Sequence, residues 1–354
     1  MLRFISTLSA ALLIVATATA QEVKNIIYLI GDGMSLSAVT MMELEDNDEE
    51  TIFDRAENIA LQKSWSLDNR VTDSAAAGTA LATGHKTNNT MLGMLPDGSS
   101  VESLMELASE HGMATGLVVT TTIQHATPAA FYAHIASRHE YSEIARQLLA
   151  SDIDLAIGGG MSHFDALYEG HDMALQAIAE AGFTFHDELN DETWSGDERH
   201  MAILSDGEVQ ERGDYLREAT ERAIATLEAR GGDNGFVLMV EGSLIDGMAH
   251  GNDAEAMKRE MADFMAAAEA AVAYAERTPG TLVIITGDHE TGGLSIVSCD
   301  ADFCLSEQGI EYRWGTRGHS AQMVPIYLYG TGAELINGIM ENAELGQRLK
   351  SLIE

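Results

Sequence analysis

Proline and cysteine are scarce in this 354-residue chain, with 4 and 2 copies, and so is positive charge: 20 Lys and Arg stand against 56 Asp and Glu, a formal net charge of −36. Each shortage excludes something. Two cysteines, Cys299 and Cys304, cannot build a disulfide framework. They lie close together in a polar loop, as a small-ring disulfide or as free thiols, and so short a ring removes little chain entropy. With so few prolines there is no Pro-rich linker. There is also no internal repeat and no break in composition, so residues 21–354 read as a single domain. Scarce Lys and Arg argue against nucleic acid as a partner, because phosphate backbones are bound by cationic neutralisation. They argue against an anionic membrane surface for the same reason. The acid excess reads as a solvated coat suited to salty water. It would repel a phosphate ester at long range, so a phosphate site here needs its own positive charge. Metal ions would supply it.

Long apolar runs are missing too, apart from the start of the chain. Residues 1–20 carry one Arg (Arg3), an apolar stretch over 10–16, and Ala18-Thr19-Ala20 before Gln21. That pattern reads as a secretory signal peptide cleaved near Ala20, its apolar core too short to span a bilayer comfortably. The mature chain is then periplasmic or secreted, with no membrane attachment after cleavage. Gly, at 33 copies, is abundant where Pro is rare, which suits local backbone flexibility.

What is present is an alternation. Apolar or β-branched runs of strand length cover 25–30, 116–121, 155–157, 236–240, 282–285 and 324–329. Segments of helical period cover 102–111, 143–150, 172–181, 214–230 and 253–277. Ser99 with Glu102, and Asn252 with Glu255, have capping-box spacing. The polar stretches 43–50, 189–200 and 301–314 read as surface loops. The expected fold class is α/β, a mostly parallel central sheet sandwiched between helices. Asp32, Glu241 and Asp288 each fall at or just past the C-terminal end of an expected strand, the edge where ligands bind in such sheets. Three like charges gathered there need a cation.

Other residues add to that set. Ser74 follows Asp73 and heads a small-residue run, Ser74-Ala75-Ala76-Ala77-Gly78, that reads as the start of a helix. A helix start favours an anion or an ionised oxygen, although a lone Ser there is usually only a cap. Asp246 and His250 have i,i+4 spacing, which puts both on one helix face; alone this is an ordinary surface pair. Asp288-His289 and His319 complete an imidazole and carboxylate set that suits zinc. The tryptophans, and His85, His111, His139, His163, His171, His186 and His200, carry no such pattern and read as packing or surface residues. His134 reads as a helix residue near the site.

In their order, Ile30-Gly31-Asp32-Gly33-Met34, Thr72-Asp73-Ser74-Ala75-Ala76, Ala126-Thr127-Pro128, Arg138, Val240-Glu241-Gly242, residues 246–250, Gly287-Asp288-His289-Glu290 and Gly318-His319 resemble the alkaline phosphatases. The resemblance runs from residue 25 to about residue 330. It implies that Ser74 is the nucleophile that becomes phosphoserine. Asp246, His250 and His319 would bind one Zn2+, and Asp32, Asp288 and His289 a second beside Ser74. Asp32 would also bridge to a Mg2+ held with Thr127 and Glu241. Arg138 would clamp two phosphoryl oxygens bidentately, positioned by Asp73. Two metals roughly 4 Å apart can steady the attacking and leaving oxygens of an in-line displacement. The implied substrates are small-molecule phosphate monoesters, and the implied assembly is a homodimer. Its contact surface would differ from those of long relatives, since only a modest loop separates His289 from His319.

Two departures from the family pattern matter. His125 stands where some bacterial relatives carry Asp beside the magnesium site, so that third site is expected to hold magnesium weakly or to recruit zinc. Gly247 stands where several relatives have a basic or aromatic residue, which should loosen bound phosphate. A phosphodiesterase or sulfatase on the same scaffold is the alternative enzyme, but residues 71–80 contain neither Pro nor Arg of a sulfatase motif. A binding-only protein is the other alternative, and no ligand or nucleophile is missing to support it.

Overall fold

A computed structural model describes residues 22–45, 50–189, 194–209, 213–298 and 309–353. The expected signal segment, Cys299, Cys304 and residues 46–49 lie outside it. The strands, in chain order, are β1 (Asn25–Gly31), β2 (Asn58–Lys63), β3 (Ala114–Thr122), β4 (Leu155–Gly159), β5 (Phe183–His186), β6 (Arg199–Ile203) and β7 (Phe236–Gly242). Then follow β8 (Thr281–Gly287), β9 (Glu290–Thr291), β10 (Leu294–Ser298), β11 (Ile310–Trp314), β12 (His319–Ser320), β13 (Val324–Gly330) and β14 (Gly338–Glu341). Ten of them make one sheet in the order β14-β2-β13-β8-β1-β7-β3-β4-β6-β5. Every pairing in it is parallel except those of β13, which runs against both β8 and β2.

The apolar run of β1 is buried along its whole length, because helices cover both faces of the sheet. Ile26, Tyr28 and Ile30 join one core, and Ile27 and Leu29 the other. All six expected strands and all five expected helices are present. The strands toward the two ends of the sheet, β2, β5, β6 and β14, were not expected. In β2, buried residues alternate with more exposed ones. β6 takes up the end of the polar stretch 189–200 and β11 the end of 301–314, and Glu43 to Glu45 close a helix, Leu36–Glu45, rather than lying in a loop.

The caps sit one to four residues from the expected positions. The capping box is formed by Ser103 and Glu106, whereas Ser99 bonds to Asp97 in a turn. Asp253, not Asn252, caps helix Ala254–Arg277; Asn252, at φ 56°, closes the preceding helix Leu244–Gly251. Likewise Asp73 rather than Ser74 is the cap of helix Ser74–Thr83, its side chain accepting from the Ala76 amide at 3.0 Å. That leaves the Ser74 hydroxyl free for other work. All ten residues of this helix are buried. Gly78 lets it approach the short helix Ala126–Ala129, since a Cβ there would lie 3.3 Å from the Thr127 Cα.

Register brings the site together. Gly31 is level with both Gly242 and Gly287, so Asp32 and Asp288 leave the sheet side by side and Glu241 sits one step inside. β13 runs the other way, so its entry lies at this same edge, and His319 arrives there just before it.

Candidate active site

Three clusters of candidate metal ligands meet at this edge, each with donor atoms within 4.8 Å of one another: Asp246, His250 and His319; Asp32, Asp246 and His289; and Asp32, His125 and Glu241. The first is the trio expected from the sequence. In the second, Asp246 takes part alongside Asp32 and His289, and the expected Asp288 is equally near, with Oδ2 3.2 Å from His289 Nε2 and Asp32 Oδ1 at 3.5 Å. In the third, His125 stands with Asp32 and Glu241, and Thr127 buries its hydroxyl on the adjoining short helix. Ser74 Oγ lies 3.2 Å from His289 Nε2, at the second cluster.

The ligands are oriented by partners behind them. His319 Nδ1 faces the Thr72 carbonyl at 2.8 Å and His250 Nδ1 the Arg317 carbonyl at 2.5 Å, which directs both Nε2 atoms toward Asp246. Asp288 Oδ1 accepts from the amides of Gly33 and His289 at 3.0 and 2.8 Å, fixing Oδ2 toward the site. Gly33 has a φ of 73°, and a Cβ there would press on Asp246 at 3.0 Å from its Cα. Arg138 places Nη1 3.3 Å from Asp73 Oδ2 and Nη2 3.1 Å from His125 Nε2.

Whether metal fits can be read from hydrogen bonding. Both oxygens of Asp32, Asp288 Oδ2, Glu241 Oε1 and Thr127 Oγ1 are buried without a partner. Buried polar atoms are rarely left so, and here they are oxygens converging from four segments. Cations at the cluster centres would satisfy them, with nitrogen and oxygen donors that suit zinc in the first two clusters and oxygen-rich donors that suit magnesium in the third.

The sequence profile of the family described as Alkaline phosphatase matches residues 23–306. Alkaline phosphatase 3 of Bacillus subtilis (strain 168) is 38% identical over 295 residues, covering 78% of this chain and 63% of the relative. The chain belongs to the alkaline phosphatase family. Streptomycin-6-phosphate phosphatase of Streptomyces griseus is 29% identical, with 96% of this chain and 95% of that protein covered. Among solved structures, a histidine-to-aspartate variant of the alkaline phosphatase from the Antarctic bacterium TAB5, with Mg bound in its M3 site, superposes with a TM-score of 0.88 at 34% identity, over 94% of this chain and 99% of that one. The chain thus spans less than two thirds of the length of the first Bacillus relative, yet nearly all of the TAB5 alkaline phosphatase.

The electrostatics of the site follow from burying several acids and imidazoles side by side. Burial pushes Glu241 up to about 7 and Asp288 up to about 8, and it raises Asp32, with neighbouring carboxylates adding to the effect. Burial also holds His289 and His125 down, the latter to about 3 with the Arg138 charge assisting, so both rings are neutral. At Asp246 burial is outweighed by the hydrogen bonds from His250 and Thr291, and its carboxyl stays below the usual range. The same hydrogen bond lifts His250 to about 9.

Some residues that shape this site had no legible signal. Thr291 donates to Asp246 Oδ1 at 2.5 Å, and Ser243 to Glu241 Oε2 at 2.5 Å. Both are ordinary hydroxyls whose partners are set by the fold. His134 is not helical; it bonds Glu106 and the Gly93 carbonyl, each at 2.7 Å, away from the ligands. Gly247 is exposed, and nothing lies within 4 Å of where its Cβ would be.

Proposed function

We propose that this chain is a metal-dependent alkaline phosphatase that hydrolyses phosphate monoesters through a phosphoserine on Ser74. The observation that carries the reading is the position of Ser74 Oγ, 3.2 Å from His289 Nε2 and at the first turn of a helix whose capping aspartate also touches Arg138. Asp246, His250 and His319 would hold one zinc, Asp32, Asp288 and His289 a second, and Asp32, Thr127 and Glu241 a magnesium; bound there, the ions supply Lewis-acid charge for the serine, leaving-group and water oxygens.

The chain's own residues do the rest. Arg138, whose Nη1 and Nη2 bond Asp73 and His125, would pair with two phosphoryl oxygens through its remaining N–H groups, a fork that a diester satisfies less well. Asp73 holds that guanidinium and caps the helix that presents Ser74. Ser74 Oγ bonds to phosphorus as the ester P–O bond breaks; the alcohol leaves with the proton that the serine gives up. Water then attacks phosphorus from the side the alcohol left, the Oγ–P bond breaks, and inorganic phosphate departs with retained configuration. The helix N-terminus at Ser74 favours the negative charge of the phosphoryl group throughout.

His125 modifies the third site. Its Nε2 faces a donor on Arg138, so the neutral ring accepts there and keeps its proton on Nδ1. A ring held in that tautomer is a poor ligand, which supports weak magnesium binding. The reading also takes residues 21–354 as one catalytic domain, exported after cleavage near Ala20 and paired as a homodimer. No described helix is long and apolar enough to cross a membrane.

The test is Ser74→Ala. Wild type quenched in acid during turnover is expected to carry a stable phosphoryl label and S74A none, with turnover down by several orders of magnitude. Wild-type-like turnover by S74A would refute the assignment.

A further inference from the structure

Thr90 has a φ of 73°, in the left-handed region that a β-branched residue avoids. It is exposed, so packing does not force it there. Hydrogen bonds do. Its amide donates to Asp73 Oδ2 at 3.0 Å, and its carbonyl accepts from the Arg138 amide at 2.8 Å. One short turn thereby ties the aspartate beside the nucleophile to the main chain of the arginine.

Asn89 grips the same segment from its side chain. Its Oδ1 accepts from the Asp73 amide and its Nδ2 donates to the Val71 carbonyl, both at 3.1 Å, while its own amide donates to Asp68 Oδ1 at 2.9 Å. Between the two side-chain bonds lies Thr72, whose carbonyl accepts from His319 Nδ1. A turn that only reversed the chain would need no more than its closing bond, Met91 amide to Asn88 carbonyl at 3.2 Å. Strain persists where the surroundings over-determine it, and such places cluster at functional sites.

We propose that Asn89 and Thr90 are positioning residues: they hold Asp73 and Arg138 in register with Ser74, so that the guanidinium meets the phosphoryl group the serine attacks. This rests on the phosphatase reading above. Neither residue touches a metal cluster, and the effect passes through Asp73 and Arg138.

The test uses metal-loaded wild type, N89A, N89D, T90P, R138A and the N89A/R138A double variant, assayed with p-nitrophenyl phosphate and with inorganic phosphate as inhibitor. N89A is expected to lower kcat/KM about tenfold or more and to weaken phosphate inhibition comparably, the scale of a sub-ångström misplacement, while Tm and zinc content stay close to wild type. N89D keeps the acceptor for the Asp73 amide and should lose less; it carries the test if N89A folds poorly. T90P removes the amide that donates to Asp73 Oδ2 and cannot adopt a φ of 73°, so it is expected to lose kcat/KM about as N89A does; wild-type kcat/KM in T90P would strike Thr90 from the brace. In the R138A background, N89A should change kcat/KM by less than about threefold, because coupled residues are not additive. Wild-type behaviour of N89A and N89D would overturn the proposal, and so would an equal loss in both backgrounds. An active wild type with indifferent Asn89 variants sinks the brace alone. A metal-loaded wild type that never turns over sinks the phosphatase reading and the brace with it.

Discussion

Single residues decide two properties that can be measured apart from turnover. His134 and Glu106 form a half-buried pair with Nε2 and Oε1 2.7 Å apart. The hydrogen bond it donates to Glu106 raises His134 above its ordinary 6.5. Burial pushes Glu106 up, but the bonds from His134 and the Ser103 amide outweigh it and leave the carboxyl below its ordinary 4.5. The histidine term is therefore complete below pH 6.5 and is lost as pH rises through the raised value; the glutamate term is complete above pH 4.5 and is lost as pH falls through the lowered one. The pair stabilises most between those limits. Glu106→Gln keeps the capping geometry, so the Tm difference between wild type and E106Q should be larger at about pH 5.5 than at about pH 8.5. An equal difference at both would remove the charge argument. At the third site, His125→Asp adds a hard oxygen donor beside Asp32 and Glu241 and is expected to retain more magnesium after dialysis than wild type. Unchanged magnesium content would show that His125 does not weaken that site. The residues that meet in the three clusters were visible in the sequence because Asp, Glu and His are the commonest side-chain donors for such ions. Thr291, Ser243, Asn89 and Thr90 were not, since a hydroxyl or amide acquires its role only from a partner that folding brings near.

Secondary-structure elements explain both what sequence reading reached and what it missed. The buried parallel strands were legible as unbroken apolar runs, because helices cover both of their faces. The strands toward the two ends of the sheet were not: β2 alternates buried with more exposed residues, β5 and β14 are only four residues long, and β6 begins with Arg199-His200. Helix starts were misplaced where several capping residues stood in line: Asn252 and Asp253 both qualify, and only the left-handed turn at Asn252 makes Asp253 the cap. Helix Leu244–Gly251, which carries Asp246 and His250, contains Gly247 at an exposed position where a methyl group meets nothing. Gly247→Ala should stabilise the protein by about 0.5–1 kcal/mol through helix propensity, read as a higher urea midpoint. A lower midpoint would mean that the glycine is needed by the backbone.

At the scale of the whole molecule, the net charge of −36 and the proposed phosphate site would oppose each other. An acidic surface would repel a phosphate ester, and the buried acids Asp32, Glu241 and Asp288 repel one another when ionised; cations at the centre would resolve both conflicts. The central claim is that the clusters around Ser74 hold catalytic metals, so one measurement tests it most directly: hydrolysis of p-nitrophenyl phosphate at alkaline pH before chelation, after chelation, and after zinc and magnesium are restored. Activity should disappear with the chelator and return with the metals. Undiminished hydrolysis by the metal-free protein, or no hydrolysis by a folded and metal-loaded one, would contradict the account.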